Sequence, residues 1–213
     1  MPAFVSILVI VVLLAVFAVG GFWARYRVHE RVLGLIDAGD AEGAIEKIDG
    51  LVGRSTLSPL ARETLRFQAI ELTGDRRALS QQFNALMRMR LGDVDRASLL
   101  VTGFNAFSRL RDRTHAARIL EEMGRAEFTE RSLASYRRHF DYVLDHGTEG
   151  WRDLENRYAA LSGKRRGYAA YLLFKVHETL GDGEWARYRA EAARLYGVSE
   201  DELDRRINVN TTV

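Results

Sequence analysis

Cysteine is absent from all 213 positions, which excludes disulfides, a thiolate zinc site and a thiol nucleophile. Proline occurs only at Pro2 and Pro59, so almost nothing in the chain forces a helix to break. No charge of one sign dominates either. With 31 basic against 29 acidic side chains, the basic stripe expected of an obligate nucleic-acid binder is missing. Lysine is scarce, at 47, 164 and 175 only, and the basic side is otherwise arginine, a skew that fits a GC-rich coding sequence better than a chemistry. No HExxH motif, no GxSxG elbow and no GxxxxGK[ST] framework is present.

What is present begins at the N-terminus. Phe4 to Ala24 is a run of 21 residues without a charge, in which Ser6 is the only polar side chain. At roughly 1.5 Å per residue a helix of that length crosses the ~30 Å hydrocarbon layer once. Phe22, Trp23 and Tyr26 suit the lipid–water interface, and Arg25, Arg27 and Arg31 follow directly. A cleaved signal peptide would carry a basic n-region and a shorter apolar core. No Lys or Arg precedes this run, and Val16-Phe17-Ala18 is a poor cleavage site, so residues 1–24 are expected to stay as a transmembrane anchor. The positive-inside bias places the body on the cytoplasmic side of an inner membrane; a periplasm-facing body is the alternative.

Beyond the anchor, apolar residues recur at three- and four-residue steps, as helices require. Leu65, Ala69 and Leu72 form one stripe, Phe104, Phe107 and Leu110 another, and Leu133, Tyr136, Phe140 and Leu144 a third; Leu172, Val176 and Leu180 continue the pattern. Short breaks separate them at Gly39-Asp40, Gly74-Asp75, Gly92-Asp93, Gly147-Thr148 and Gly181-Asp182. Glycine accepts the left-handed helix end, and Asp or Thr caps the next helix. The spacing predicts an all-α chain. Asp40, Asp75, Asp112, Gly147 and Asp182 are 35, 37, 35 and 35 residues apart, a period that marks stacked helical hairpins.

Gly39-Asp40-Ala41-Glu42-Gly43-Ala44-Ile45-Glu46-Lys47 resembles the turn and second-helix start of the tetratricopeptide repeat family, and Leu33-Gly34 echoes its first-helix pair. The small residue four places after the Asp recurs as Ala44, Ala116 and Ala186, where that family packs its two helices closely. Leu79 and Trp151 depart from the pattern, and the closing proline is visible only as Pro59. The resemblance implies an α-solenoid of about five hairpins over residues 25–206; residues 207–213 read by their composition as a polar tail. The resemblance also implies a concave surface lined by the first helix of each hairpin. Counting back from each turn places Gln68, Glu71, Asn105, Ser108, Tyr168, Tyr171, Lys175 and Glu178 there, with the amides to hold a partner's backbone and Lys175 a carboxylate.

The remaining motifs read as structure. Among five histidines, His139 and His146 are seven apart and would share a helix face near Asp141 and Asp145, which is half of a metal site at most. Ser162-Gly163-Lys164-Arg165-Arg166-Gly167 reads as a basic turn between hairpins, and Glu121, Glu122, Glu127 and Glu130 as exposed acids beside arginines. Thr211-Thr212-Val213 is similar to the terminal ligand of a PDZ domain. No catalytic constellation, metal or cofactor is expected. The expected function is a membrane-tethered adaptor or scaffold for protein partners, with no small-molecule substrate and no nucleic acid. A structural accessory subunit of a larger membrane complex and a periplasm-facing assembly or chaperone factor are the alternatives. Ala15, Ala18, Gly20 and Gly21 would allow an anchor to pack closely in such a complex.

Overall fold

A computed structural model describes residues 20, 23–126 and 128–209. All regular structure among them is helical, which agrees with the periodicity. No helix among the described residues is long and apolar enough to cross a membrane. The apolar run at 4–24 lies, apart from Gly20, Trp23 and Ala24, outside them, and so do Phe22, Glu127 and Thr211-Thr212-Val213. The chain divides into two compact units, Met1–Met89 and Arg90–Val213.

In the first unit, α1 covers residues 23–37, followed by α2 (Ala41–Asp49), α3 (Leu51–Thr56), α4 (Pro59–Thr73) and α5 (Arg76–Met87). The expected turn chemistry is realised. Gly39 adopts φ 79° after α1, and the Asp40 carboxylate accepts from Gly43 N at 2.9 Å to cap α2. Ser58 caps α4 ahead of Pro59, and Asp75 caps α5 by accepting from the amides of Arg77 and Ala78. α1 buries Val28 and Val32 against Ala44, Ile48, Leu57, Leu65 and Ala69. α5 seats Phe83 on Phe67 of α4, with ring centroids 5.9 Å apart.

Gly53 decides where α3 lies. A Cβ there would stand 2.4 Å from the Lys47 carbonyl oxygen and 2.5 Å from that of Ile48. Only glycine lets α3 fold back onto the end of α2. Gly53→Ala is expected to destabilise by about 1–3 kcal/mol, as overpacking against backbone does. Gly124, where a Cβ would meet the Leu133 side chain at an ordinary 4.0 Å, should instead gain about 0.4–1 kcal/mol as Ala. Urea unfolding of the two variants checks the contrast.

The second unit comprises α6 (Asp93–Arg109), α7 (Arg113–Arg125), α8 (Glu130–His139), α9 (Trp151–Tyr158), α10 (Gly163–Leu180), α11 (Glu184–Tyr196) and the short α12 (Leu203–Arg206). α8 continues into a π-helical segment, Phe140–Leu144. Asp112 caps α7 by accepting from His115 N. α7 packs on α6 across that turn, and Ala116 is fully buried there, as expected.

Ala186 departs from expectation. It is exposed, whereas α11 buries Tyr188, Ala192 and Ala193 and stacks Tyr188 on His177 of α10. Ala116→Leu should therefore cost about 1–3 kcal/mol of stability, whereas Ala186→Leu should stay within roughly 0.5 kcal/mol of the parent. Melting curves of the two variants separate the sites.

α10 is the centre of this unit. Every residue from Gly167 to His177 is buried, with α9, α11 and the π segment packed around it. The Ser162–Gly167 stretch is not a free turn: Gly163 begins α10 and Arg166 Nε donates to Glu191 at 2.7 Å. The π segment also separates His139 from His146. Its wider turns break the seven-residue register, so His139 is buried while His146 is exposed at a loop position with φ 56°.

Candidate functional site: a face of α6 and α10 that holds the C-terminal segment

The residues after α11 turn back onto the second unit. Leu203 and Ile207 are buried, at 1% and 3% exposure, and anchor a short segment across α6 and α10. Between them, Asp204 receives three donors. Tyr171 Oη donates to its Oδ1 at 2.9 Å, Arg111 Nη2 to Oδ2 at 3.0 Å and Lys175 Nζ to Oδ2 at 3.4 Å. Further on, Arg109 donates to Asn208 Oδ1, and Val209 N donates to Asn105 Oδ1 at 3.0 Å. The segment is thus held by two apolar pegs, one carboxylate in a cationic cup and one backbone amide on a side-chain carbonyl.

Local structure aims the cup. Arg111 has φ 55° in the α6–α7 turn, a left-handed position uncommon for a residue with a side chain. It is held from two sides, because Arg111 Nη1 also donates to the Val143 carbonyl in the π segment at 2.6 Å. Lys175 is 7% exposed, with its ammonium 4.1 Å from the Phe174 ring centroid and 3.2 Å from Glu178 Oε2. Burial by itself would raise the Asp204 pKa; Lys175, Arg111 and the Tyr171 hydroxyl outweigh it and hold the carboxyl below the usual range. Burial pushes the Tyr171 phenol well above its ordinary value, so it remains a donor.

Beside Asp204 a polar cleft of about 200 Å³ opens between α10, α11 and the 200–204 stretch. Its floor is Phe174 and Lys175, and Glu178, Arg189, Glu200 and Asp201 line its walls. Arg189 pairs with Glu200 and Asp201, each at 3.3 Å. Counting Asp204, four carboxylates face two cations, so the cleft suits a basic side chain from outside. It is small for an organic cofactor.

A second polar group lies deeper. His139 is buried with its Nδ1 2.9 Å from Tyr168 Oη, its ring parallel to Tyr168 and edge-on to Phe104. Burial first, and Arg111 second, lower its pKa to about 3, so the ring is neutral at ordinary pH. No group of three His, Asp or Glu among the described residues converges as metal ligands.

Several residues expected to line an open groove therefore stand elsewhere. Asn105, Ser108, Tyr168, Tyr171 and Lys175 are all buried, and only Glu178 of this unit's six is exposed. Asn105, Tyr171, Lys175 and Glu178 do converge, around the chain's own C-terminal segment. Tyr168 belongs to the His139 cluster. Ser108 keeps a buried hydroxyl with no hydrogen-bond partner among the described residues. Gln68 and Glu71 are half-buried on α4 in the first unit. Residues 207–209, expected to be free tail, are docked.

Arg111, Asp204 and Asn208 were not foreseen, and His139 was read only as one of a pair with His146. A signal did exist for the burial of α10: Tyr168-Ala169-Ala170-Tyr171-Leu172-Leu173-Phe174 is apolar on every side of a helix, which means cover all round. Compared with known protein families, characterised proteins and solved structures, the chain matches none.

Proposed function

We propose that this chain is a membrane-tethered interaction scaffold of tetratricopeptide-repeat-like helical hairpins, fixed by residues 4–24, that gathers protein partners at the cytoplasmic face of an inner membrane. The observation that carries the reading is the way α6 and α10 hold residues 203–209. Asn105 accepts a backbone amide and Lys175 engages a carboxylate, the two tasks expected of them toward a partner peptide. A face that holds one short segment by these contacts has the chemistry to hold another. The acidic cleft next to it adds a place for a basic partner residue.

Tethering concentrates whatever the face binds near the membrane, so modest intrinsic affinity suffices. Affinity capture after detergent extraction tests the reading. Partners that exchange and leave with rising salt support a scaffold; a stoichiometric complex that survives salt would assign the chain as a structural subunit. Recovery of the chain alone under both conditions would contradict either role.

A further inference from the structure

One end of the first unit carries an apolar patch that its own fold leaves uncovered. Leu51 and Val52, the opening residues of α3, are 87% and 55% exposed, and Trp23 and Tyr26 at the start of α1 are 55% and 51% exposed. The fold brings these two places to one end. α1 and α2 run antiparallel from the tight turn at Gly39-Asp40, where Asp40 N donates to the Leu35 carbonyl. At 1.5 Å per residue, α2 and the step into α3 carry Leu51 about 15 Å from that turn, level with residue 27 or so of α1. The shared core agrees, since Val28 belongs to the same cluster as Ile48 and Leu57. Gly53 holds α3 against the end of α2, so the exposure of Leu51 and Val52 is built in.

What covers the patch follows from where the chain comes from. The apolar run Phe4–Ala24 ends at Trp23 and Ala24, at this end of the hairpin. Leu51 stands about four residues, or ~6 Å, further along α1 than Trp23, which is about the depth of one headgroup layer. Charge agrees: Arg25, Arg27 and Arg54 are exposed around the patch, and Arg54 follows Leu51 at i+3 on α3. Glu30 opposes them on the neighbouring turn of α1, and Asp49 at the end of α2 is paired with Arg66.

We infer that this end of the first unit is a lipid-contacting foot, with Leu51 and Val52 in the headgroup layer beside Trp23 and Tyr26, and Arg25, Arg27 and Arg54 on the phosphates of anionic lipid. The inference rests on the reading of residues 4–24 as the anchor. It adds that α1 stands on the bilayer and does not swing free above it. Apolar side chains at the acyl boundary and arginines at the phosphates are the pairing that interfacial helices use.

The lack of native cysteine makes the test direct. Single variants Leu51→Cys, Val52→Cys and, near the turn at the far end of the hairpin, Glu42→Cys are labelled with one fluorophore. Each full-length chain is reconstituted in phosphatidylcholine vesicles with a minority of phosphatidylglycerol. Headgroup-nitroxide lipid should quench labels at 51 and 52 several-fold more than the label at 42, and Arg54→Glu should reduce that difference. Labels at 51 and 52 quenched no more than at 42 overturn the foot, whether an aqueous quencher reaches them or a second protein shields them. Carbonate extraction of the same vesicles tests the anchor separately. Release by carbonate together with strong lipid quenching would keep the foot and remove the anchor; retention with weak quenching would do the reverse.

Discussion

Acidification between about pH 6.5 and pH 3 should progressively destabilise the second unit through one side chain, His139. The ring is buried, stacked parallel to Tyr168 and partnered at Nδ1 by the Tyr168 hydroxyl. Burial, reinforced by Arg111, lowers its folded-state pKa to about 3. In the unfolded chain it titrates near the ordinary value of about 6.5. Between those values the unfolded state binds a proton that the folded state does not, so stability falls as pH falls. One such proton gives a slope of about 1.4 kcal/mol per pH unit across that window. The span from about pH 4.5 to 6.5 is the cleanest, since ordinary carboxylates contribute little there.

His139→Phe keeps the ring contacts and removes the titration. It should be less stable near pH 7.5 by about 1–2 kcal/mol, because the buried Tyr168 hydroxyl loses its partner. Its stability should then change far less on acidification, so the two pH profiles converge. Urea unfolding followed by Trp151 and Trp185, with Trp23 replaced by Phe, reads this unit. Parallel profiles for parent and variant would show that His139 takes up its proton in the folded state.

The second large effect concerns the cup around Asp204. Asp204→Ala removes the carboxylate that Lys175, Arg111 and Tyr171 share, and it leaves a nearly buried ammonium with Glu178 as its remaining carboxylate. An uncompensated buried charge is expensive even with partial relief, and about 2–3 kcal/mol should be lost. Lys175→Met alone should be mild, because Asp204 is 44% exposed on its side chain and keeps Arg111 and Tyr171. The pair together should therefore be more stable than Asp204→Ala alone, a coupling that a double-mutant cycle measures.

Acid acts here in the same direction. The depressed Asp204 carboxyl contributes fully above its unfolded value near 3.9, and the contribution is lost as pH falls below that through the folded pKa. Loss of the cup should also free the segment, so that protease cuts sooner in the Ser199–Glu202 stretch. If Asp204→Ala and the double variant are equally stable, Lys175 does not depend on Asp204.

Much of the helical plan was readable from local chemistry. The caps at Asp40 and Asp75 and the left-handed Gly74 and Gly181 fall where the glycine–aspartate breaks placed them, because capping needs only the neighbouring amides. Asp93, Thr148 and Asp182 are not the caps expected, since α6, α9 and α11 start behind Gly92, Gly150 and Gly183. Ala44 and Ala116 are buried for the same local reason, that a helix pair closes on its smallest residue. Ala186 fails because Tyr188, two residues on, takes the contact with α10.

The face of α6 and α10 was legible only in part. Asn105, Tyr171, Lys175 and Glu178 were recognised only as four of eight residues along one groove. Their cover was not, because Asp204 is 93 residues from Arg111 and Val209 is 104 from Asn105, beyond the reach of any periodic pattern. The π segment was equally hidden, and with it the separation of His139 from His146.

Site-specific crosslinking in native membranes addresses the scaffold itself. A photoreactive residue in place of Glu178, exposed on α10 beside Asp204 and the acidic cleft, samples the face of α6 and α10 proposed to meet a partner. The same residue in place of Ala186, exposed on α11, serves as the control. The account predicts discrete protein adducts at 178 that are weak or absent at 186, and that intensify when Asp204→Ala loosens the C-terminal segment. Equal adducts at both positions, or none at 178 in either background, would contradict it.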